Sequence, residues 1–369
     1  MDQKHLSRRD TVNFGAYYTR PRLVGLAYKM LSRHCGDLAT YTLLDSSCGY
    51  GSFLAHPDAE NASARVGADI DAEALAVARR EAPDIRVVRR NSLLESTRAD
   101  YAIASDARLI IVGNPPYNDT TALAGRAEKS GAAPHIAPRY KTRDLGISFL
   151  RSYADLSPDF VCVLHPLSYL IKKTNFAALG EFTRSYALAD ALTVSSGEFD
   201  GTAKGKTFFP IVLALYKRVT GGMKWEDISD FSFKTDCGKS FRVSDFTPLG
   251  EFVSFYPNAA KVPLEKTVAR FFTMRDINAL RRSRTFIDYD GPHTIRIIRK
   301  DLKYYRYAAV FKQYTRHIPY YFGNFPVFID APEFEKIRDN FMKAGAAPKA
   351  KPDAKIDEYF RRLLGEHFI

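Results

Sequence analysis

Cysteine is scarce and dispersed. Cys35, Cys48, Cys162 and Cys237 contain no Cys-x-x-Cys pair, which argues against a disulfide framework and a thiolate zinc site and fits a reducing cytosol. No His/Cys spacing suits a zinc finger, so no metal is expected. No apolar run approaches the ~20 residues needed to span a bilayer. The opening Met1-Asp2-Gln3-Lys4-His5 also offers no apolar core for a signal peptide. These absences predict a soluble, cytoplasmic protein with no membrane partner. No internal repeat stands out.

The chain does have size and positive charge. Its 369 residues, 46% apolar, leave room for two domains with a core each. Net charge is +12, the sequence pI is about 9.4 and aromatics reach 13%, mostly Phe and Tyr. That balance suits a polyanionic partner. It also suits an ordinary basic enzyme, so motifs must decide.

Residues 21 to 218 alternate short apolar runs with helical patterns, which predicts a doubly wound α/β domain with a mostly parallel, seven-stranded sheet. Strands are expected over residues 42–44, 65–69, 85–89, 109–112, 160–164, 187–194 and 207–216. The last two, joined by Gly- and Lys-rich residues 195–206, read as an antiparallel hairpin at the sheet edge. Pro21 can open a helix running to about Arg33, and Asp71 can cap one over 72–80. Residues 117–140 show no period and read as a long loop, either a substrate-contacting lid or plain surface. Past Arg218 the pattern turns to Phe/Tyr-rich runs with scattered bases. The expected division is 1–218 for an α/β domain, 219–344 for a smaller α+β domain, and 345–369 for a linker and closing helix.

Asn114-Pro115-Pro116-Tyr117, reached through Leu109-Ile110-Ile111-Val112-Gly113, is the most telling segment. A planar amino nitrogen is a poor nucleophile because its lone pair is delocalised. The Asn114 side-chain oxygen and the Pro115 carbonyl can each accept one of its hydrogens, drawing it toward tetrahedral geometry and freeing the lone pair. Pro115 and Pro116 stiffen the turn, and Tyr117 offers a ring face for an extruded base. Upstream, Leu44-Asp45-Ser46-Ser47-Cys48-Gly49-Tyr50-Gly51 follows a strand, so its glycines let a ligand approach the backbone. Asp69, at the next strand's carboxyl end, can accept from both ribose hydroxyls, whereas Asp71 reads as a helix cap. Asn91 reads either as a contact to an adenine amino group or as a turn residue. In the basic second half, Arg281, Arg282, Arg284, Arg296, Arg299 and Lys300 interleave with tyrosines, which suits a nucleic-acid cleft and equally a solvated basic face. His165, beside Pro166, reads as a satisfied buried histidine.

In order, Gly15-Ala16-Tyr17-Tyr18-Thr19-Arg20-Pro21, Asp45-Ser46-Ser47-Cys48-Gly49-Tyr50-Gly51, Asp69 and Asn114-Pro115-Pro116-Tyr117 resemble the gamma class of S-adenosylmethionine-dependent DNA N6-adenine methyltransferases of restriction-modification systems. The resemblance covers residues 13 to 218. It implies a Rossmann-like methyltransferase fold, S-adenosylmethionine as cofactor, and double-stranded DNA as partner of a prokaryotic, nucleoid-associated enzyme. It leaves room for a separate cognate restriction endonuclease.

The resemblance implies that Tyr17, Tyr18 and Thr19 close over the cofactor and that Asp45, Cys48, Gly49 and Gly51 line its methionine moiety. Asp69 and Ile70 would hold the ribose end, Asn91 and Leu93 would flank the adenine, and Asn114 would border both sites. Phe199 would stack on the flipped adenine opposite Tyr117, with Lys204 and Lys206 on phosphate. The family more often has Asp where Asn91 stands, Pro where Ser46 stands, and Pro directly after the Thr, where this chain has Arg20. Rival readings are N4-cytosine methylation, RNA guanine-N2 or protein-glutamine methylation, and a catalytically silent DNA-binding protein.

Overall fold

The computed structural model describes residues 19–117, 135–199, 208–346 and 353–369. Tyr17, Tyr18, Lys204 and Lys206 lie outside the described residues. The chain divides into two compact units, Met1–Lys206 with Ile211–Gly238, and Thr207–Pro210 with Lys239–Ile369.

The strands form where apolar residues run without alternation, because a parallel sheet covered on both faces buries every side chain. β1 (Thr42–Asp45) and β4 (Leu109–Gly113) are buried at each position. With β2 (Ala64–Asp69), β3 (Arg86–Arg89), β5 (Phe160–Pro166), β6 (Tyr186–Ser195), β7 (Pro210–Arg218), β8 (Phe233–Thr235) and β9 (Ser240–Phe241) they give the order β3-β2-β1-β4-β5-β7-β6-β8-β9. β1 pairs in parallel with β2 and β4, β2 with β3, and β4 with β5, whereas β7 runs antiparallel to β5.

The doubly wound sheet is as expected, but it has nine strands rather than seven. The additions are three and two residues long, too short to register as apolar runs. They also move the expected edge hairpin inward. β7 inserts between β5 and β6, and β8 pairs with the far side of β6. Burial of β7 from Pro210 to Tyr216 fits that central place.

Helix α1 (Pro21–His34) begins as Pro21 dictates, with Arg20 extended before it, and buries Leu23, Val24, Ala27, Tyr28, Met30 and Leu31 along one face. Asp71 caps α2 (Ala72–Glu81) by accepting from the Glu73 and Ala74 amides. Asp144 does the same for α3 (Leu145–Leu156) through Gly146. Of the short helices between β5 and β6, α4 (Ser168–Ile171) bears on the site.

The second unit holds a three-stranded antiparallel sheet, β11 (Phe286–Ile287), β10 (Ala269–Phe272) and β12 (Thr294–Ile297), with helices α5 (Ile277–Arg282), α6 (Leu302–Tyr314) and α7 (Ala354–Leu364) among its elements. Its core is aromatic. Tyr307 is fully buried among Phe311, Phe334, Phe341, Tyr359 and Phe360, and such ring pairs add about 0.5–1.5 kcal/mol each beyond area burial. Residues 219–238 fall in the first unit, where β8 extends the sheet, and the closing helix falls in the second. No helix among the described residues is long and apolar enough to cross a membrane.

Candidate functional site

Because β2, β1 and β4 are parallel neighbours, their carboxyl ends bring Asp69, Asp45 and Gly113-Asn114 into one row. In open α/β sheets this rim is where ligands bind. Asp45 is 2% exposed, and its Oδ1 accepts the Ser47 amide at 3.2 Å. Burial pushes its carboxyl up to about 8, the Ser47 amide works against that rise, and the nearby Asp69 adds to it. Gly113 explains how the two strand ends approach. It sits at φ +150°, and a Cβ there would stand 2.7 Å from Asp45 Oδ1.

Asp69 faces the Gly-rich turn. Its Oδ2 accepts the Gly49 amide at 2.9 Å and its Oδ1 the Asp71 amide at 3.0 Å. Burial raises its pKa while those two amides oppose the rise. Gly51, at φ +79°, packs so that a Cβ would meet the Ala78 Cβ at 3.1 Å, whereas no described residue comes within 4 Å of a Cβ built on Gly49. Cys48 is buried, with its thiol pushed well above the usual range by burial and then by Asp45 and Asp69. That suits packing rather than nucleophilic attack. Ile70 is 57% exposed beside Asp69 and presents an apolar face at the rim.

The Asn91 amide is used at both ends. Its Oδ1 accepts the Leu93 amide at 3.0 Å, and its Nδ2 donates to the His135 carbonyl at 2.7 Å. The Ala137 amide donates to the Leu93 carbonyl at 2.8 Å. Residues 135–137 are thereby tied to the turn holding Asn91 and the buried Leu93. The Ser92 hydroxyl donates to the Ser46 carbonyl at 2.7 Å, which joins this turn to the Gly-rich one.

Thr19 is buried ahead of α1. At the second residue of that helix, Arg22 pairs with Glu198 at 2.7 Å, linking the helix start to the turn that precedes Phe199. Phe199 itself is 2% exposed.

Beyond Asn114 and the buried Pro115, Tyr117 packs on α3: a Cβ built on Gly146 would lie 3.2 Å from the Tyr117 Cβ and 2.5 Å from the Tyr169 hydroxyl. The Tyr169 hydroxyl donates to Asp144 Oδ1, and its ring stacks on His165 at 5.1 Å. His165 is fully buried, bonding the Pro166 carbonyl at 2.9 Å through Nδ1 and the Tyr216 hydroxyl at 2.7 Å through Nε2. The carbonyl only accepts, so Nδ1 carries the hydrogen and Nε2 accepts from Tyr216. His165 is the satisfied core histidine expected.

The basic residues of the second unit divide into two sets. Arg281 donates to the Thr315 and Ile318 carbonyls, and Arg296 pairs with Asp290 at 3.0 Å and bonds the Val262 carbonyl at 3.1 Å, so both work inside the fold. Arg282, Arg284, Arg299 and Lys300 are exposed. Among the described residues, no group of His, Cys, Asp and Glu could hold a metal.

Sequence reading gives Gly113 and Ser47 no role of their own within the apolar run and the Gly-rich turn, and it singles out neither Asp144 nor Tyr169. The Ser47 hydroxyl is buried and has no hydrogen-bond partner among the described residues. The position of Gly113 just before the Asn-Pro-Pro-Tyr turn was the one available signal. The others depend on contacts between distant segments.

No family model matches the chain. A stretch of 157 residues is 32% identical to the release factor glutamine methyltransferase of Caulobacter vibrioides, covering 42% of this chain and 52% of that protein. The chain thus spans about half the length of the curated relative it matches. Solved structures that resemble it include a candidate class I S-adenosylmethionine-dependent methyltransferase from Listeria monocytogenes (11% identity, TM-score 0.41, 61% of this chain and 72% of that one). Another is a candidate RNA methyltransferase from Pyrococcus horikoshii (15% identity, TM-score 0.38, 56% and 89%). The strand order β3-β2-β1-β4-β5-β7-β6, with β7 antiparallel to β5, is that of the Rossmann-like methyltransferase fold.

Proposed function

We propose that this protein is an S-adenosylmethionine-dependent methyltransferase acting on N6 of an adenine flipped from duplex DNA, as the modification enzyme of a restriction-modification system. One observation carries the reading. Asn114-Pro115-Pro116-Tyr117 leaves the end of β4 with Gly113 in contact with the buried Asp45, so the acceptor turn and the cofactor acid are built against each other.

The residues fit the cofactor. Asp45 is a buried acid ahead of the glycines of the turn, and among the described residues the Ser47 hydroxyl has no hydrogen-bond partner and nothing lies within 4 Å of a Cβ built on Gly49. Asp45, Ser47, Cys48, Gly49 and Gly51 would hold the methionine moiety, with Asp69 on the ribose and Ile70, Asn91 and Leu93 around the adenine. When bound, S-adenosylmethionine supplies an electrophilic methyl group on a sulfonium. The Asn114 oxygen and the Pro115 carbonyl accept the two amino hydrogens of the target, which localises its lone pair. Tyr117 stacks on the extruded base, and Phe199 is the opposing ring. Its 2% exposure requires that it be uncovered as the base enters. No covalent enzyme intermediate is needed, and the displaced proton leaves to solvent.

Duplex DNA as substrate is supported by the net charge of +12 and by exposed bases close in sequence to the site, Lys141 and Arg143 before α3. Lys204, Lys206, Arg282, Arg284, Arg299 and Lys300 would add phosphate contacts, and a separate endonuclease is the partner this role implies. A second reading, methylation of a protein glutamine, is favoured by the 32% identity to the Caulobacter vibrioides protein, since an amide nitrogen poses the same problem as N6. N4-cytosine methylation would use the same acceptors. Labelled methyl transfer offered in parallel to duplex DNA, RNA and a release factor separates these readings.

A further inference from the structure

We infer that Asp144 and Tyr169 are positioning residues that set the acceptor tetrapeptide from the α3 side, through the packing of Tyr117 and the Tyr169 hydroxyl on Gly146. The inference rests on the reading of Asn114-Pro115-Pro116-Tyr117 as the acceptor turn.

Three elements meet at Gly146. The Tyr117 Cβ and the Tyr169 hydroxyl both crowd the place where a Cβ on Gly146 would be, at 3.2 and 2.5 Å. Only a residue without a side chain allows that approach. Asp144 is fixed in turn. Its Oδ1 accepts the Gly146 amide at 3.0 Å and the Tyr169 hydroxyl, its carbonyl accepts the Thr142 hydroxyl at 2.6 Å, and its amide donates back to Thr142 Oγ1 at 3.2 Å. The Tyr169 ring is also held by stacking on His165.

The Tyr169 hydroxyl is therefore clamped between the α3 cap and Gly146, and Tyr117 rests on the same glycine. Tyr117 ends the turn that carries Asn114 and Pro115. A shift of Tyr117 reaches both acceptors, because two prolines leave little freedom between them. Acceptor geometry governs this kind of catalysis, and a displacement of about 1 Å costs up to about a hundredfold in rate. In this role Asp144 and Tyr169 act through Tyr117 and Gly146.

The test uses the full-length protein and the variants Tyr169→Phe, Gly146→Ala, Asp144→Ala and Asp144→Asn. Tyr169→Phe keeps the ring on His165 and removes only the hydroxyl. We expect kcat for methyl transfer to fall roughly tenfold for Tyr169→Phe and up to about a hundredfold for Gly146→Ala, with KM and S-adenosylmethionine affinity within about twofold. Asp144→Asn keeps both acceptor roles and should rescue what Asp144→Ala loses. Amide hydrogen exchange on the peptide covering residues 111–117, read in the same variants, does not depend on activity. Faster exchange at Gly113, Asn114 and Tyr117, with unchanged exchange in β1 and β2, is the expected result. Unchanged exchange across 111–117 in both Tyr169→Phe and Gly146→Ala would overturn the inference even in an active enzyme. A wild-type protein inactive on every substrate would refute the acceptor reading and leave the exchange result to judge the positioning claim by itself.

Discussion

Gly113 faces the Asp45 carboxyl across the ends of two parallel strands with no room for a side chain between them: a Cβ on Gly113 would lie 2.7 Å from Oδ1 and 3.3 Å from Oδ2. This packing joins the acid proposed to hold the cofactor to the turn proposed to hold the acceptors. Gly113→Ala should therefore fail twice. The φ of +150° strains any L side chain, at about 1–3 kcal/mol, and the added methyl displaces Asp45. Thermal unfolding and cofactor titration should show a lower Tm and weakened S-adenosylmethionine binding. An alanine variant that binds as wild type would remove the proposed coupling.

Asn114→Ala deletes one of the two proposed acceptors and leaves Asp45, Gly49 and Asp69 in place. Removing one such preorganised group costs about 10²–10³-fold in kcat. Cofactor affinity measured by calorimetry should stay near that of wild type. Turnover within tenfold of wild type would refute the role given to Asn114.

Asp45 carries a pH signature. Its carboxyl rises from an ordinary 3.8 to about 8 in the fold, so the stability it contributes is fully present below about 3.8 and is lost as pH rises through about 8. A cationic ligand requires the ionised form. Cofactor affinity should therefore increase with pH from 6 to about 8, by up to about tenfold per unit, with a proton released on binding. Calorimetry in buffers of different ionisation enthalpy measures that proton. Asp45→Asn should abolish both the release and the slope.

His165 works in the opposite sense. Burial lowers it from 6.5 to about 4, so the stability it contributes is present above about 6.5 and is lost as pH falls toward 4. Urea midpoints should drop between pH 7 and pH 5. In His165→Leu that drop should shrink while stability at pH 7 falls by about 1–3 kcal/mol for each partner left unbonded, the Pro166 carbonyl and the Tyr216 hydroxyl.

What the chain discloses before it folds depends on the range of each interaction. β1, β4 and β5 were visible because fully buried strands write themselves as apolar runs, and Pro21 and Asp71 marked helix starts through local chemistry. β8 and β9 were hidden because their pairing, not their composition, makes them strands. The tetrapeptide and both acids were readable as types at strand ends. The double commitment of the Asn91 amide was not, because it needs the His135 carbonyl 44 residues away. Nor could sequence separate Arg281 and Arg296, held by internal acceptors, from Arg282, Arg284, Arg299 and Lys300, which face solvent.

That separation is itself testable. Arg281→Ala and Arg296→Ala should lower stability. Alanine at Arg282, Arg284, Arg299 or Lys300 should leave Tm unchanged and weaken DNA binding, flattening the slope of log affinity against log salt by about 0.9 for each phosphate that is no longer neutralised. Salt slopes identical to wild type in all four exposed variants would remove these residues from the proposed DNA interface.

The most direct measurement is to incubate the protein with methyl-labelled S-adenosylmethionine and unmethylated duplex DNA, then digest the DNA to nucleosides. A DNA adenine methyltransferase built as proposed leaves label in N6-methyladenine, and Asn114→Ala abolishes it. No label in DNA, with label instead on a glutamine of an added release factor, would contradict the proposal.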